Sequence, residues 1–159
     1  MALDIFEYFS HLDQERFRAV ILHAAPEKGL AVTKFAQKVC AQKGGKYVDL
    51  LDLFIQNQKL RERIDSFSPE KLHTLLIEYC KGTGYLFIDR ADMILDTWSH
   101  GERQDFFRMI KDQWDSYKDG MKAKLIICLQ TSQEIEGLSI SDSQGHSRVL
   151  RLSDFNDIL

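Results

Sequence analysis

The stretch Ile21-Leu22-His23-Ala24-Ala25-Pro26-Glu27-Lys28-Gly29-Leu30-Ala31 decides the fold, because an apolar run gives way at a proline and a glycine to a segment of helical spacing. Phe35, Ala36, Val39 and Cys40 then fall on one helical face, so the reading is strand, tight loop, helix. Working outward, the same alternation recurs. Apolar runs at residues 18–25 (RAVILHAA), 46–51 (KYVDLL), 85–89 (YLFID), 124–130 (KLIICLQ) and 148–152 (RVLRL) are separated by helical or turn-rich segments. That is the pattern of an α/β layered fold. The third and fourth runs are almost continuously apolar, as strands covered on both faces should be, and they are expected at the centre.

The intervening helices are read from spacing and caps. Leu72, Leu75, Leu76, Tyr79 and Cys80 form one stripe, preceded by Ser68 as N-cap and Pro69 at the first helical position, with Gly82 just past the end. Phe106, Met109, Ile110, Trp114 and Tyr117 form a second, expected to be core. Ile5, Phe6, Phe9 and Leu12 predict an N-terminal helix over about residues 3–17, and Leu60 with Ile64 predicts a weak helix after the second strand. The polar segment 139–147 (SISDSQGHS) reads as a mobile loop before the last strand.

Composition sets the outer bounds. The 159 residues suit one domain, 1–159, and 44% hydrophobic with 28% charged residues excludes disordered and collagen-like chains. No apolar run approaches the roughly 20 residues of a membrane span, and the N-terminus lacks a signal pattern, so a cytoplasmic, unprocessed chain is expected. Cys40, Cys80 and Cys128 are odd in number and lack a CxxC pair, which reads as buried reduced thiols. A net charge of −3 gives no global attraction to nucleic acid, so any such contact has to be local. Arg16, Arg18, Lys34, Lys38, Lys43 and Lys46 are candidates for a basic rim, and Lys118, Lys122 and Lys124 form a second small cluster.

The strand-to-helix turn at Ala25, Pro26, Glu27, Lys28, Gly29, Leu30 and Ala31 is the candidate phosphate-binding loop. A working loop needs GxxxxGK[ST]: glycines let backbone N–H groups wrap the phosphates, the lysine neutralises their charge and the hydroxyl holds Mg²⁺. Laid on that template, Ala24 stands at the first glycine, Gly29 at the second, Leu30 at the lysine and Ala31 at the hydroxyl. Three of the four defining residues are replaced, and Lys28 and Arg90 are the substitutes available for the lost charge. The run 85–89 ends in Asp89, the place of an acid that holds Mg²⁺ when nucleotide binds, followed by Arg90 where a water-orienting Glu would stand. Asp92 is a candidate replacement acid. Gln130 and Thr131 end the fourth run, where a polar sensor residue is expected. Gly44-Gly45-Lys46 precedes a strand and reads as a turn, and neither the five histidines nor any Ser or Cys has the spacing of a metal or nucleophile site.

Taken together, loop, helix, Asp-ended strand and polar-ended strand resemble a minimal P-loop NTPase core of the AAA+-like branch. The resemblance implies a three-layer parallel sheet of about five strands in the order 5-1-4-3-2, helices on both faces, a helix added in front and no C-terminal lid. Size, degenerate loop and the segment 87–92 (FIDRAD) are similar to the small P-loop-containing proteins of type 3 BREX phage-defence systems. That resemblance implies a bacterial protein working beside a large ATPase, a DNA methyltransferase, a phosphatase-like protein and a helicase. Two functions are expected from it: a non-catalytic assembly or regulatory subunit, or a weak ATPase that uses Lys28, Asp89 and Thr131 with ATP and Mg²⁺ and is completed by a partner arginine or by oligomerisation. A DNA-binding accessory module is a third.

Overall fold

The computed structural model describes residues 3–118 and 121–155, with positions 1, 2, 119, 120 and 156–159 outside the described residues. Five strands, β1 (Ala19–Ala24), β2 (Lys46–Asp49), β3 (Tyr85–Asp89), β4 (Lys124–Gln130) and β5 (Val149–Arg151), form one sheet in the order β2-β3-β4-β1-β5. Every pairing is parallel. This is the expected order 5-1-4-3-2 seen from the other edge. The helices are α1 (Ile5–Leu12), α2 (Gly29–Lys43), α3 (Leu50–Gln56), α4 (Gln58–Arg61), α5 (Pro69–Cys80), α6 (Asp92–Leu95), α7 (His100–Asp112) and α8 (Gln133–Glu136).

Strand alternation divides the core into two layers. Ile21, Leu86, Ile88, Leu125 and Ile127 point to one face, where the core includes α5 and α7, while Val20, Leu22, Phe87, Ile126 and Cys128 point to the other, under α1 and α2. Both tryptophans belong to the first layer. Trp98 and Trp114 are buried, and each indole N–H donates to a backbone carbonyl, Phe67 O at 2.6 Å and Ala123 O at 3.0 Å. All three cysteines are buried and none is joined in a disulfide, as read from their spacing. Burial lifts the Cys40 thiol to about 11, so it stays protonated.

Local signals explain the boundaries. Ser68 caps α5 by accepting from the Lys71 N–H at 3.2 Å, with Pro69 at its first position. Gly44 closes α2 in the left-handed conformation, φ 69°, and Gly45 passes so close to β3 that an added Cβ would stand 2.8 Å from Tyr85 Cβ. The Gly44-Gly45 pair is therefore the turn it was read as.

Several expectations are corrected. The N-terminal helix ends at Leu12 and not near 17, because the Arg18 guanidinium donates to the carbonyls of Asp13 and Glu15 and folds the intervening chain back. The second strand stops at Asp49, whose carboxylate caps α3 by accepting from the Asp52 N–H. The first and fifth strands are each trimmed at both ends. The helix expected around Leu60 and Ile64 is broken into one α-turn and a 3-10 turn. The aromatic stripe outruns its helix: α7 ends at Asp112, Trp114 is still core, but Tyr117 is 79% exposed. Segment 139–147 is pinned, not loose. Asp142 accepts from the N–H groups of Gln144 and His146, and the buried Glu15 carboxylate accepts from Ser143.

Among the described residues, one buried side-chain atom lacks a hydrogen-bond partner, His73 Nε2 on α5, whose ring lies 6.0 Å from that of Trp114. Burial, helped by Lys118, lowers the His73 pKa, and burial does the same to His23. Both are bases favoured neutral in the fold, so the stability they lend is complete above the ordinary histidine value of about 6.5 and is lost as pH falls below it. We expect a His73→Phe variant to show a smaller drop in Tm between pH 7 and pH 5 than the parent. An equal drop in the two proteins would show that His73 does not drive the acid response.

Candidate functional site

A parallel sheet puts the C-terminal ends of all its strands on one edge, where ligands of open α/β sheets bind. At that edge a cleft of ≈ 410 Å³ lies between Ala25, Gly29 and Leu30 on one side and Asp89, Arg90 and Gln130 on the other. These are six of the residues expected from sequence, brought together by β1, β3 and β4. Pro26, Glu27, Lys28 and Ala31 are exposed and do not line it. Thr131 turns away to an adjoining cleft of ≈ 810 Å³, its hydroxyl 2.8 Å from His23 Nδ1.

The reason lies in the shape of the loop. Pro26–Lys28 is a 3-10 turn closed by the Lys28 N–H on Ala25 O at 2.8 Å, and it runs straight into α2 at Gly29, which has φ −55°. A phosphate nest needs N–H groups turned inward by alternating backbone handedness. Among the described residues only Arg90, Gly44, Gly82 and Gly145 have positive φ, so residues 25–31 contain no left-handed position. Proline lacks the N–H at position 26, and the N–H groups of Lys28 and Gly29 are spent on Ala25 O and Pro26 O. Lys28 stands on the exposed turn and is not drawn into the cleft.

The side-chain geometry also realigns the motif. Thr33 Oγ1 donates to Asp89 Oδ2 at 2.6 Å. Counted from this contact, the template hydroxyl is Thr33 and not Ala31, and the lysine position falls on Val32, which is 5% exposed. The same carboxylate oxygen accepts from Tyr47 Oη at 2.6 Å, and the other accepts from the Arg90 N–H at 2.9 Å. Burial, and then Asp89 itself, push the Tyr47 phenol well above its ordinary range, which fixes it as a donor. Asp89 is 4% exposed and holds three donors.

Arg90 is committed as well. Its Nε donates to both oxygens of Asp49, at 3.0 and 2.9 Å, and its terminal nitrogen contacts Asp49 again, while its backbone sits at φ 55°. Register explains the pair, since Asp49 and Asp89 are partners on β2 and β3. Asp92 accepts from the Gln130 N–H at 2.9 Å, and burial raises its pKa. It serves as a clamp between α6 and β4. Thr33, Tyr47 and Asp49 were missed in the sequence. Asp49 and Tyr47 could have been found from period-two spacing on a strand paired with β3, whereas nothing local in the sequence marks Thr33.

The balance of charge follows. Asp49, Asp89 and Asp92 line the cleft, and Arg90, already paired, is the one cation among the described lining residues. Even with Mg²⁺ bound, a nucleoside triphosphate keeps about two negative charges and finds no unpaired cation there to offset three carboxylates. Thr33 and Asp89 are the oxygen donors that Mg²⁺ would take from the protein, but the ion draws most of its shell from phosphate and water. The residues present therefore do not fit MgATP. No group of three or more His, Cys, Asp or Glu among the described residues is placed to hold a metal ion. Cys128 lines the back of the cleft, with its thiol pKa raised well above the ordinary value by burial.

In comparisons with known proteins, no family model and no curated protein matches the chain. Among the described residues no helix is long and apolar enough to cross a membrane.

Proposed function

We propose that this chain is a non-catalytic P-loop-like module, an assembly or regulatory subunit of a bacterial multiprotein system. The observation that carries the reading is the state of Asp89: its buried carboxylate already accepts from Thr33, Tyr47 and the Arg90 N–H, while the phosphate-binding lysine is replaced by a buried valine. A site built this way stabilises the top of the sheet instead of holding an ion for transfer chemistry. The resemblance to the small proteins of type 3 BREX systems supports a role for such a subunit in phage defence, with the large ATPase, methyltransferase, phosphatase-like protein and helicase of such a system as proposed partners. The retained Thr33–Asp89 pair favours a second reading, a weak ATPase completed by an arginine from a partner.

Calorimetric titration with ATP and Mg²⁺ separates the two. We expect no heat up to about 1 mM nucleotide, an affinity weaker than about −4 kcal/mol. We also expect none after Leu30→Lys with Ala31→Thr, because both positions lie in the first turn of α2, behind a 3-10 turn that forms no nest. Binding at about 100 μM or tighter, lost in Asp89→Ala, would overturn the non-catalytic reading. Binding gained only by the double variant would show that the loop opens into a cradle.

A further inference from the structure

The opposite edge of the sheet has the opposite charge. All strands start there, and cations stand at the starts: Arg16 and Arg18 before β1, Lys43 and Lys46 at β2, Lys122 and Lys124 at β4. Pairing places them in one row, since Tyr85 is opposite Lys124, the Leu125 N–H donates to Arg18 O, and Lys46 is opposite Leu86. Four of the six residues read as a basic rim are therefore together, whereas Lys34 and Lys38 lie along α2. Lys124 is not the exposed charge expected of its cluster. It is buried, paired with Asp13 and seated 4.5 Å from the centre of the Tyr85 ring.

Aromatic rings alternate with these cations. Lys43 lies 4.8 Å from the Phe6 ring centre, Lys46 lies 4.7 Å from that of Tyr79, and Arg16 is 5.1 Å from both Phe17 and Tyr117. Arg16 is also held by Asp115 at 2.8 Å, so the Tyr117 ring rests on a fixed guanidinium and presents its outer side to solvent. Beside it a hollow of ≈ 420 Å³ is bordered by Gln14, Phe17, Tyr117 and Ser143. Of the nearby acids, Asp13 is paired with Lys124 and Asp115 with Arg16, while Glu15 and Asp142, which also line the hollow, are turned to N–H and hydroxyl donors of Ser143, Gln144 and His146. No carboxylate among the described residues pairs with Lys43, Lys46, Lys118 or Lys122, all of them exposed.

We propose that this edge binds single-stranded nucleic acid, with phosphates along the cation row and one base stacked on Tyr117. An acidic polypeptide would use the lysines but gain nothing from the exposed ring, whereas every base has a face to stack. From β2 to β1 the row crosses three strand spacings, about 14 Å, long enough to follow a short stretch of phosphate backbone. The site is at the far end of the strands from the Asp89 cleft, so it stands or falls independently of any nucleotide bound there.

Fluorescence anisotropy with a labelled thymidine oligomer of about twelve nucleotides tests it. At low salt the parent protein is expected to bind, and Tyr117→Ala to bind about tenfold more weakly. Lys122→Gln should reduce the slope of log K against log salt by about 0.7, the value for one phosphate contact on a single strand. Lys34→Gln should leave the slope unchanged. These positions are exposed, so the variants are expected to keep the fold. The proposal is overturned by no anisotropy change up to about 100 μM protein, by unaltered binding in Tyr117→Ala, by equal affinity for a duplex of the same length, or by competition from polyglutamate as strong as from the oligomer.

Discussion

Replacing Asp89 with alanine is expected to lower the melting temperature by roughly 6–12 °C while leaving the protein as silent toward nucleotide as before. The substitution removes a buried acceptor from Thr33, Tyr47 and the Arg90 N–H, and strands two hydroxyl donors between β2, α2 and β3. Hydrogen bonds to a charged group contribute about 1.5–3 kcal/mol each; because the hydroxyls regain part of this from water, a net loss of about 3 kcal/mol follows. In a working ATPase the equivalent acid is a catalytic ligand, and its loss removes turnover. Here the expected cost falls on the fold. Thermal denaturation followed by far-UV circular dichroism reads it, and an unchanged Tm would show that the carboxylate is not a strut.

Arg148→Met is expected to cost more, about 4 kcal/mol, or roughly 8–16 °C. Arg148 is 3% exposed and forms no salt bridge among those of the described residues. Its guanidinium donates instead to four carbonyls: Ala19 at 2.9 Å, Ile110 at 3.1 Å, Lys111 at 2.6 Å and Ser141 at 3.3 Å. Two of these belong to the last turn of α7, where the helix end is partially negative and a cation is favoured. Burial lowers the pKa of the group, yet the fork remains charged at any working pH. Methionine fills similar space but leaves the start of β1 and the end of α7 with unanswered buried acceptors. Lysine at this position cannot reproduce the planar fork, so Arg148→Lys should recover only a minor part. A loss under about 1 kcal/mol in Arg148→Met would mean that water reaches these carbonyls.

The layers and strand order were legible because they rest on periodicity. The runs at 85–89 and 124–130 are the strands to the residue, and the Ser68-Pro69 start defines α5. What was not legible depends on contacts between distant residues. The end of α1 is set by Arg18 reaching back to carbonyls, the exposure of Tyr117 by a helix that stops five residues earlier, and the order of 139–147 by Glu15. The cleft was legible as a place, since Asp89 ends a strand and a loop follows β1. Its chemistry was not. The template was anchored on Gly29, the one glycine in the turn, and no local rule shows that a right-handed Gly29 starts the helix early and leaves Thr33 to meet Asp89. Asp49 and Tyr47 became visible only once the pairing of β2 with β3 was known.

The placing of both tryptophans on one side of the sheet gives the molecule a one-sided optical reporter. Trp98 and Trp114 sit in the layer with α5 and α7, their indoles dry and hydrogen-bonded, whereas the layer under α1 and α2 contains Phe35, Phe87 and Cys40 but no indole among its buried residues. Emission therefore follows the unpacking of one face, and the reaction of the Cys40 thiol with a labelling reagent follows the other. The two signals together time the separation of each helical layer from a sheet that they share.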